Sequence, residues 1–375
     1  MNADDRAPGA GWLRALAEPQ RVQRWQLADW DRAVRLLRSH RLLARLGHAV
    51  QRAGLDDAVP APARAHLVAA MRLSANRIQA VRWTAERLTP ILAGVPGPKV
   101  LLKGGAYLAL DLPIAAGRLP SDLDILVPRT HLGEAQQRLR DIGWVEPALD
   151  EHDRRYYVQW SHELPPMQHA EHGVELDVHH HILPPRDGRM IDMAPLLEAV
   201  RPSGWPGWSV LAPVDQVLHG TAHLFFDAEP RDRVRDLVDL DGLLRVHGHE
   251  APFWSMLTSR ADRLDLAEPL VLGLGFAIDW LGTSVPPSTH DWLRETTARR
   301  PGLRLLRPLM ARVLTPTDPD HMDPLAKRWA ATVVLARYHW HRLPFTVLMP
   351  HLWRKWRSAA AADVRSEVPP GVNAP

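Results

Sequence analysis

The sequence predicts an α+β fold in which a small mixed β-sheet is flanked by N- and C-terminal α-helical regions. Three observations carry that prediction. Apolar residues recur at helical spacing from about Trp12 to Leu92. Short apolar strands then alternate with helices up to Val178, and helical patterns return after Pro184-Pro185. The corresponding divisions are residues 1–95 (helical), 96–185 (α/β core), 186–362 (helical) and a Pro-, Ala- and Gly-rich end at 363–375, expected to be a disordered tail.

In chain order, Leu36, Leu37, Leu42, Leu43 and Leu46 suit one helix face, with Gly54 placed to end the run. Pro60 and Pro62 punctuate before a second long helical segment, His66 to Leu88. Gly94 to Pro98 is a breaker cluster, and Lys99 to Leu102 reads as a short buried strand. Gly104-Gly105 follows it, with Ala106 to Leu110 opening a helix. Ile125 to Val127 is the next strand. Thr130 is placed to cap a helix that stops at Gly143, and Arg154–Trp160 and Val174–Val178 complete the strands. Beyond Pro185, Val214–Phe226 and Arg231–Val246 read as helices.

Composition narrows the function. Forty-six basic and 43 acidic residues leave a formal charge of +3, and all but four of the basic residues (Lys99, Lys103, Lys327, Lys355) are arginine. So small a surplus argues against a surface that coats nucleic acid. The chain has no cysteine, so disulfides, thiolate metal sites and a cysteine nucleophile are excluded. Any metal must be held by oxygen or imidazole. Met1 to Arg6 is acidic where a secretory leader would be basic, and no uncharged apolar run reaches membrane-spanning length. A soluble cytoplasmic protein is the expectation. The Trp- and Arg-rich stretch from Trp329 to Trp356 reads as packed helices with arginines at their rim, the alternative being a membrane-surface helix.

The segment that carries chemistry is Leu101-Leu102-Lys103-Gly104-Gly105, followed after sixteen residues by Asp122-Leu123-Asp124-Ile125-Leu126-Val127. Two glycines between strand and helix let backbone approach a ligand, and helix-start N–H groups suit phosphate oxygens. Strand residues two apart share a face. Asp122 and Asp124 therefore present paired carboxylates, which repel unless a cation lies between them, and hard oxygen donors suit Mg²⁺. In Val174-Glu175-Leu176-Asp177-Val178-His179, Glu175, Asp177 and His179 face opposite to the apolar residues. A carboxylate there could complete a metal site or serve as general base. On spacing alone Glu175 competes with Asp177.

In this ordered combination the chain resembles the nucleotidyltransferase superfamily of polymerase-β-like fold. It resembles more closely the family named uncharacterised nucleotidyltransferase. Leu102-Lys103-Gly104 matches that family's opening, Arg118-Leu119-Pro120-Ser121 through Val127 its central block, and Leu176-Asp177-Val178-His179 its later strand. His223 and the stretch from Arg233 to Asp239 also look similar. The resemblance implies two-metal transfer of a nucleoside monophosphate from an NTP such as ATP. Asp122, Asp124 and Asp177 would hold two Mg²⁺ ions, while Gly104 and Gly105, with Lys103, Arg118 and Ser121 nearby, would bind the nucleotide. The acceptor, a small-molecule or protein hydroxyl, is not named by the resemblance. The alternative is a non-catalytic nucleotide-binding accessory protein on the same fold, against which the three intact acids argue.

Other roles stay open at this level. Lys103 could bind phosphate, pack its stem or pair with an aspartate. Arg118 could contact a triphosphate or brace the loop before Asp122. His179-His180-His181 suggests a structural or substrate-orienting role rather than zinc, because alternate residues on a strand diverge and no acid follows at ligand spacing. His219 and His223, four apart on a helix, suit a buried polar contact. Asp239 is expected to pair with Arg235.

Overall fold

The computed structural model describes residues 10–148, 161–226 and 233–342. The expected strand at Arg154–Trp160 and the expected tail at 363–375 lie outside these residues. The N-terminal region is helical as the spacing predicts: α1 (Ala10–Ala17), α2 (Leu27–Ser39), α3 (Leu43–Arg52) and α4 (Ala61–Leu92). Gly54 follows the end of α3 with φ of 66°, a left-handed conformation that costs a glycine nothing. The 32-residue α4 buries a stripe at Ala63, Leu67, Ser74, Val81, Ala85, Leu88 and Leu92, the three- and four-residue spacing of one helix face. Its Pro90 falls in the last turn, so the hydrogen bond it forgoes interrupts the helix only near its end.

The five-stranded sheet has the order β3-β2-β1-β5-β4. It comprises β1 (Val100–Leu101), β2 (Asp122–Leu126), β3 (Glu175–His179), β4 (Arg201–Pro202) and β5 (Ser209–Val210). β1 pairs antiparallel with β2 and parallel with β5, and β4 pairs antiparallel with β5. β2 and β3 run parallel, with Asp122 opposite Glu175, Asp124 opposite Asp177 and Leu126 opposite His179. Parallel neighbours need a long crossover, and α6 (Leu132–Asp141) lies in it. β4 and β5 were not anticipated, because two-residue strands carry no periodic signal, and they extend the sheet beyond residue 185.

Two local expectations change. The helix after β1, α5, spans Lys103–Ala109, so the glycine pair sits in its first turn rather than ahead of it. Thr130 does not cap α6: it falls in a 3-10 turn, Arg129–His131, and His131 is the residue preceding the helix.

After the short α7 (Ala194–Glu198) and the β4–β5 pair, the chain forms α8 (Pro213–Phe225) and α9 (Val234–His247). Then come α10 (Ala251–Arg263), α11 (Ala267–Phe276), α12 (Pro287–Arg299), α13 (Gly302–Leu314) and α14 (Leu325–Arg342). One buried apolar cluster runs from Leu13 through the sheet to Val334, crossing the divisions drawn at 95 and 185. In α14, Ala330, Ala331 and Val334 are buried, whereas Trp329 and Trp340 stay exposed. Among the described residues no helix is long and apolar enough to cross a membrane.

Candidate active site

Alternation in β2 and β3 sorts their side chains. Leu123 and Ile125 are buried, as are Leu176 and Val178, and the intervening acids share the other face. The parallel register sets Asp177 beside Asp124, while Glu175 lies opposite Asp122 towards the strand start. Glu175 is half-buried and faces the amide of Gln168 at 3.4 Å. Of the two acids left open by spacing, Asp177 is the one that meets Asp124.

Asp124 is buried and receives two donors on one oxygen: Lys103 Nζ at 2.8 Å and His179 Nε2 at 3.1 Å from Oδ1. Burial alone would raise its pKa, but the Lys103 charge and the His179 hydrogen bond outweigh burial and hold it well below the usual carboxylate range. Lys103 reaches this position from the first residue of α5 with φ of 43°, so pairing with an aspartate is the role it takes here. Burial weakens its charge, and Asp124 together with Asp122 and Glu163 more than restores it.

Asp177 is in the opposite condition. Its Oδ1 is buried without a hydrogen-bond partner. Burial first, and then the charges of Asp124, Glu163 and Asp122, push its carboxyl up to about 8. The cluster thus gathers four carboxylates around one lysine.

The remaining expected residues take structural positions. Arg118 is buried and bonds Asp239 of α9 through Nε at 3.1 Å, and the ring of Tyr107 lies 5.8 Å below its guanidinium. Its backbone oxygen accepts from Ser74 Oγ at 2.7 Å. Arg118 therefore braces the loop before β2 and is not aimed at a phosphate. Arg45 of α3 pairs with the same Asp239, so the expected Arg235–Asp239 pair is replaced by a bridge across three segments. Arg235 itself contacts Asp236 at 3.4 Å and the Leu119 carbonyl. Gly104 is small because the Arg118 guanidinium fills the space of a Cβ there, and Gly105 packs against Leu123. Ser121 Oγ accepts from Arg41 at 3.1 Å at the open end of β2.

His181 Nε2 bonds the Ile191 carbonyl at 2.7 Å. His223 Nδ1 meets Arg233 at 3.1 Å, and its ring lies edge-on to His219, with centroids 6.1 Å apart. Burial, reinforced by the Lys103 charge, keeps both imidazoles neutral, with His219 lowered to about 3.

Glu163 and His162 are the residues that sequence reasoning missed. The chain before β3 folds back along that strand, pairing Glu163 with His179 and Met167 with Leu176. Glu163 Oε2 thereby lies 3.2 Å from His179 Nδ1. The sole signal was a His-Glu pair in a polar loop, and no spacing rule connects it with residues sixteen positions later.

No curated protein and no solved structure matches the chain. A family model matches residues 26–282, from the start of α2 to the glycine beyond α11, and so takes in the sheet, the paired aspartates and the Arg45–Asp239–Arg118 bridge. By that match, over more than half its length, the chain belongs to the uncharacterised nucleotidyltransferase family.

Proposed function

We propose that the protein is a Mg²⁺-dependent enzyme that transfers a nucleoside monophosphate from an NTP to a hydroxyl of a small molecule or protein. The observation that carries this reading is Asp177: a half-buried carboxylate with one buried, partnerless oxygen, in register with Asp124 and surrounded by further acids. Carboxylates so arranged repel one another, and a hard dication is the group that relieves this. Asp122, Asp124 and Asp177 fit as its holders. Bound Mg²⁺ would supply charge stabilisation for the attacking and leaving oxygens of the displacement.

The chain's own groups have separable tasks. Lys103 and His179 keep Asp124 ionised and aim its carboxylate. Lys103, the first residue of α5, reaches Asp124 with its Nζ and would be the group of this helix start closest to a bound triphosphate. Beyond β3, a cavity of about 600 Å³ opens between the Leu183–Asp192 loop and α14. Phe225 and Phe226 line it and Arg186 stacks on Phe226 at 3.8 Å, while none of Asp122, Asp124 and Asp177 is part of its wall. The His181–Ile191 hydrogen bond ties its wall to the end of β3.

One observation favours the second reading, a nucleotide-binding accessory protein: Lys103 already neutralises Asp124, as a cation would. Pyrophosphate release from each of the four NTPs, with Mg²⁺ and cell extract as acceptor source, separates the two. The enzyme releases pyrophosphate and loses that release in the Asp122→Asn/Asp124→Asn double variant, which stays folded. Nucleotide binding without release, or release unchanged in the variant, overturns the enzymatic reading.

A further inference from the structure

His179 is completely buried, yet only one of its ring nitrogens has a hydrogen-bond partner. Nε2, 3.1 Å from Asp124 Oδ1, is the ring nitrogen that has one. Its Nδ1 faces Glu163 Oε2 at 3.2 Å without forming a hydrogen bond. His162 Nε2 lies 3.6 Å from the same oxygen. Three donor atoms that converge in this way, with no hydrogen bond joining Nδ1 to the carboxylate, suit a cation held between them.

We propose that His162, Glu163 and His179 form a transition-metal site, of the kind that takes Zn²⁺, next to the carboxylate cluster. One donor atom from each of the three residues lies within 4.8 Å of the others. Two ligands bound at about 2.1 Å around a tetrahedral ion stand about 3.4 Å apart, and the measured 3.2 and 3.6 Å bracket that separation. Two imidazoles and a carboxylate form a borderline-soft donor set that favours zinc over magnesium. Asp124 completes the arrangement: a carboxylate that receives the far N–H of a ligating imidazole fixes its tautomer and orientation. His162 and Glu163 are partly exposed, at 13% and 28% of their side-chain surface, which gives the ion a route in and a fourth position open to water. The proposal does not rest on nucleotidyl transfer, because neither Asp122 nor Asp177 belongs to the donor set.

The test uses the full chain, stripped with a chelator and equilibrated with ZnCl₂ in excess Mg²⁺, which occupies hard carboxylate sites. Bound metal is measured by elemental analysis, and Co²⁺ substitution is followed by the visible bands of a four-coordinate ion. One Zn²⁺ per chain is expected in wild type and in Asp177→Asn, with affinity at least tenfold weaker in His162→Ala and Glu163→Ala. Glu163→Gln, which preserves size, stands in should the alanine variants fail to fold. Absence of zinc uptake overturns the proposal and leaves His179 as a bridge between two carboxylates. Uptake unaltered in the His162 and Glu163 variants also overturns it, since the ion is then on other histidines. A comparable loss in Asp177→Asn assigns the ion to the carboxylate cluster and overturns it equally. Pyrophosphate release plays no part in these outcomes, so failure here is distinct from failure of the enzymatic reading.

Discussion

The guanidinium of Arg118 occupies the volume that a side chain on Gly104 would need, so the glycine turn after β1 and the loop before β2 close on one another. Arg118 cannot swing aside, because Asp239 holds its Nε at 3.1 Å inside the protein. Gly104→Ala is therefore expected to destabilise the fold by about 1–3 kcal/mol, the range of an overpacked core. Urea unfolding measures it, and a variant as stable as wild type would show that Arg118 can relocate.

Asp239 neutralises two buried arginines, Arg45 and Arg118, from different segments. Removing one partner of a buried pair leaves an uncompensated charge, at a cost of about 3–5 kcal/mol. Asp239→Ala should lose at least that much in a denaturant titration and release α3 and α9 from one another. A loss below about 1 kcal/mol would mean that the arginines find other acceptors.

Asp177 should make metal-free protein sensitive to alkali. Its carboxyl titrates near 8 in the fold, against 3.8 for the unfolded chain. Between those values the folded state binds the extra proton, so this contribution to stability is full below the lower value and is lost as pH rises through 8. Melting temperature in chelator should fall from pH 6 to pH 9, Asp177→Asn should flatten the decline, and Mg²⁺ should restore stability at pH 9. The cation reading fails if Mg²⁺ has no effect there.

His219 works in the acid direction. Burial depresses its imidazole to about 3, whereas the unfolded residue accepts a proton near 6.5. Below 6.5 the unfolded state binds more protons, so stability declines as pH drops towards 3, by up to about 1.4 kcal/mol per pH unit for one such group. His219→Leu should lessen the slope between pH 6 and 4, with His223 sustaining the remainder. An unchanged slope would show that His219 is accessible to protons in the fold.

Lys103→Met separates two roles of the cation at Asp124. If Lys103 chiefly keeps Asp124 ionised, the variant needs more Mg²⁺ for the same pyrophosphate release. If Lys103 instead takes the place of the metal, the variant binds Mg²⁺ more tightly. A Mg²⁺ titration of both proteins distinguishes these outcomes.

By itself the sequence determined the α+β order, the long helices and the pairing of Asp122 with Asp124, because helix and strand periods are local properties of neighbouring residues. It also exposed Asp177 as an acid on the polar face of its strand, though not as the one beside Asp124. That choice required the parallel register, which sets Asp177 rather than Glu175 against Asp124. Tertiary structure alone decided that Arg118 braces rather than binds, because its partner Asp239 lies 121 residues away. It alone brought Glu163 against His179 by folding the chain back along β3. Contacts between distant segments leave no periodic trace in a sequence. They arise where burial forces charged groups to find partners, and here that requirement sets the surroundings of the aspartates.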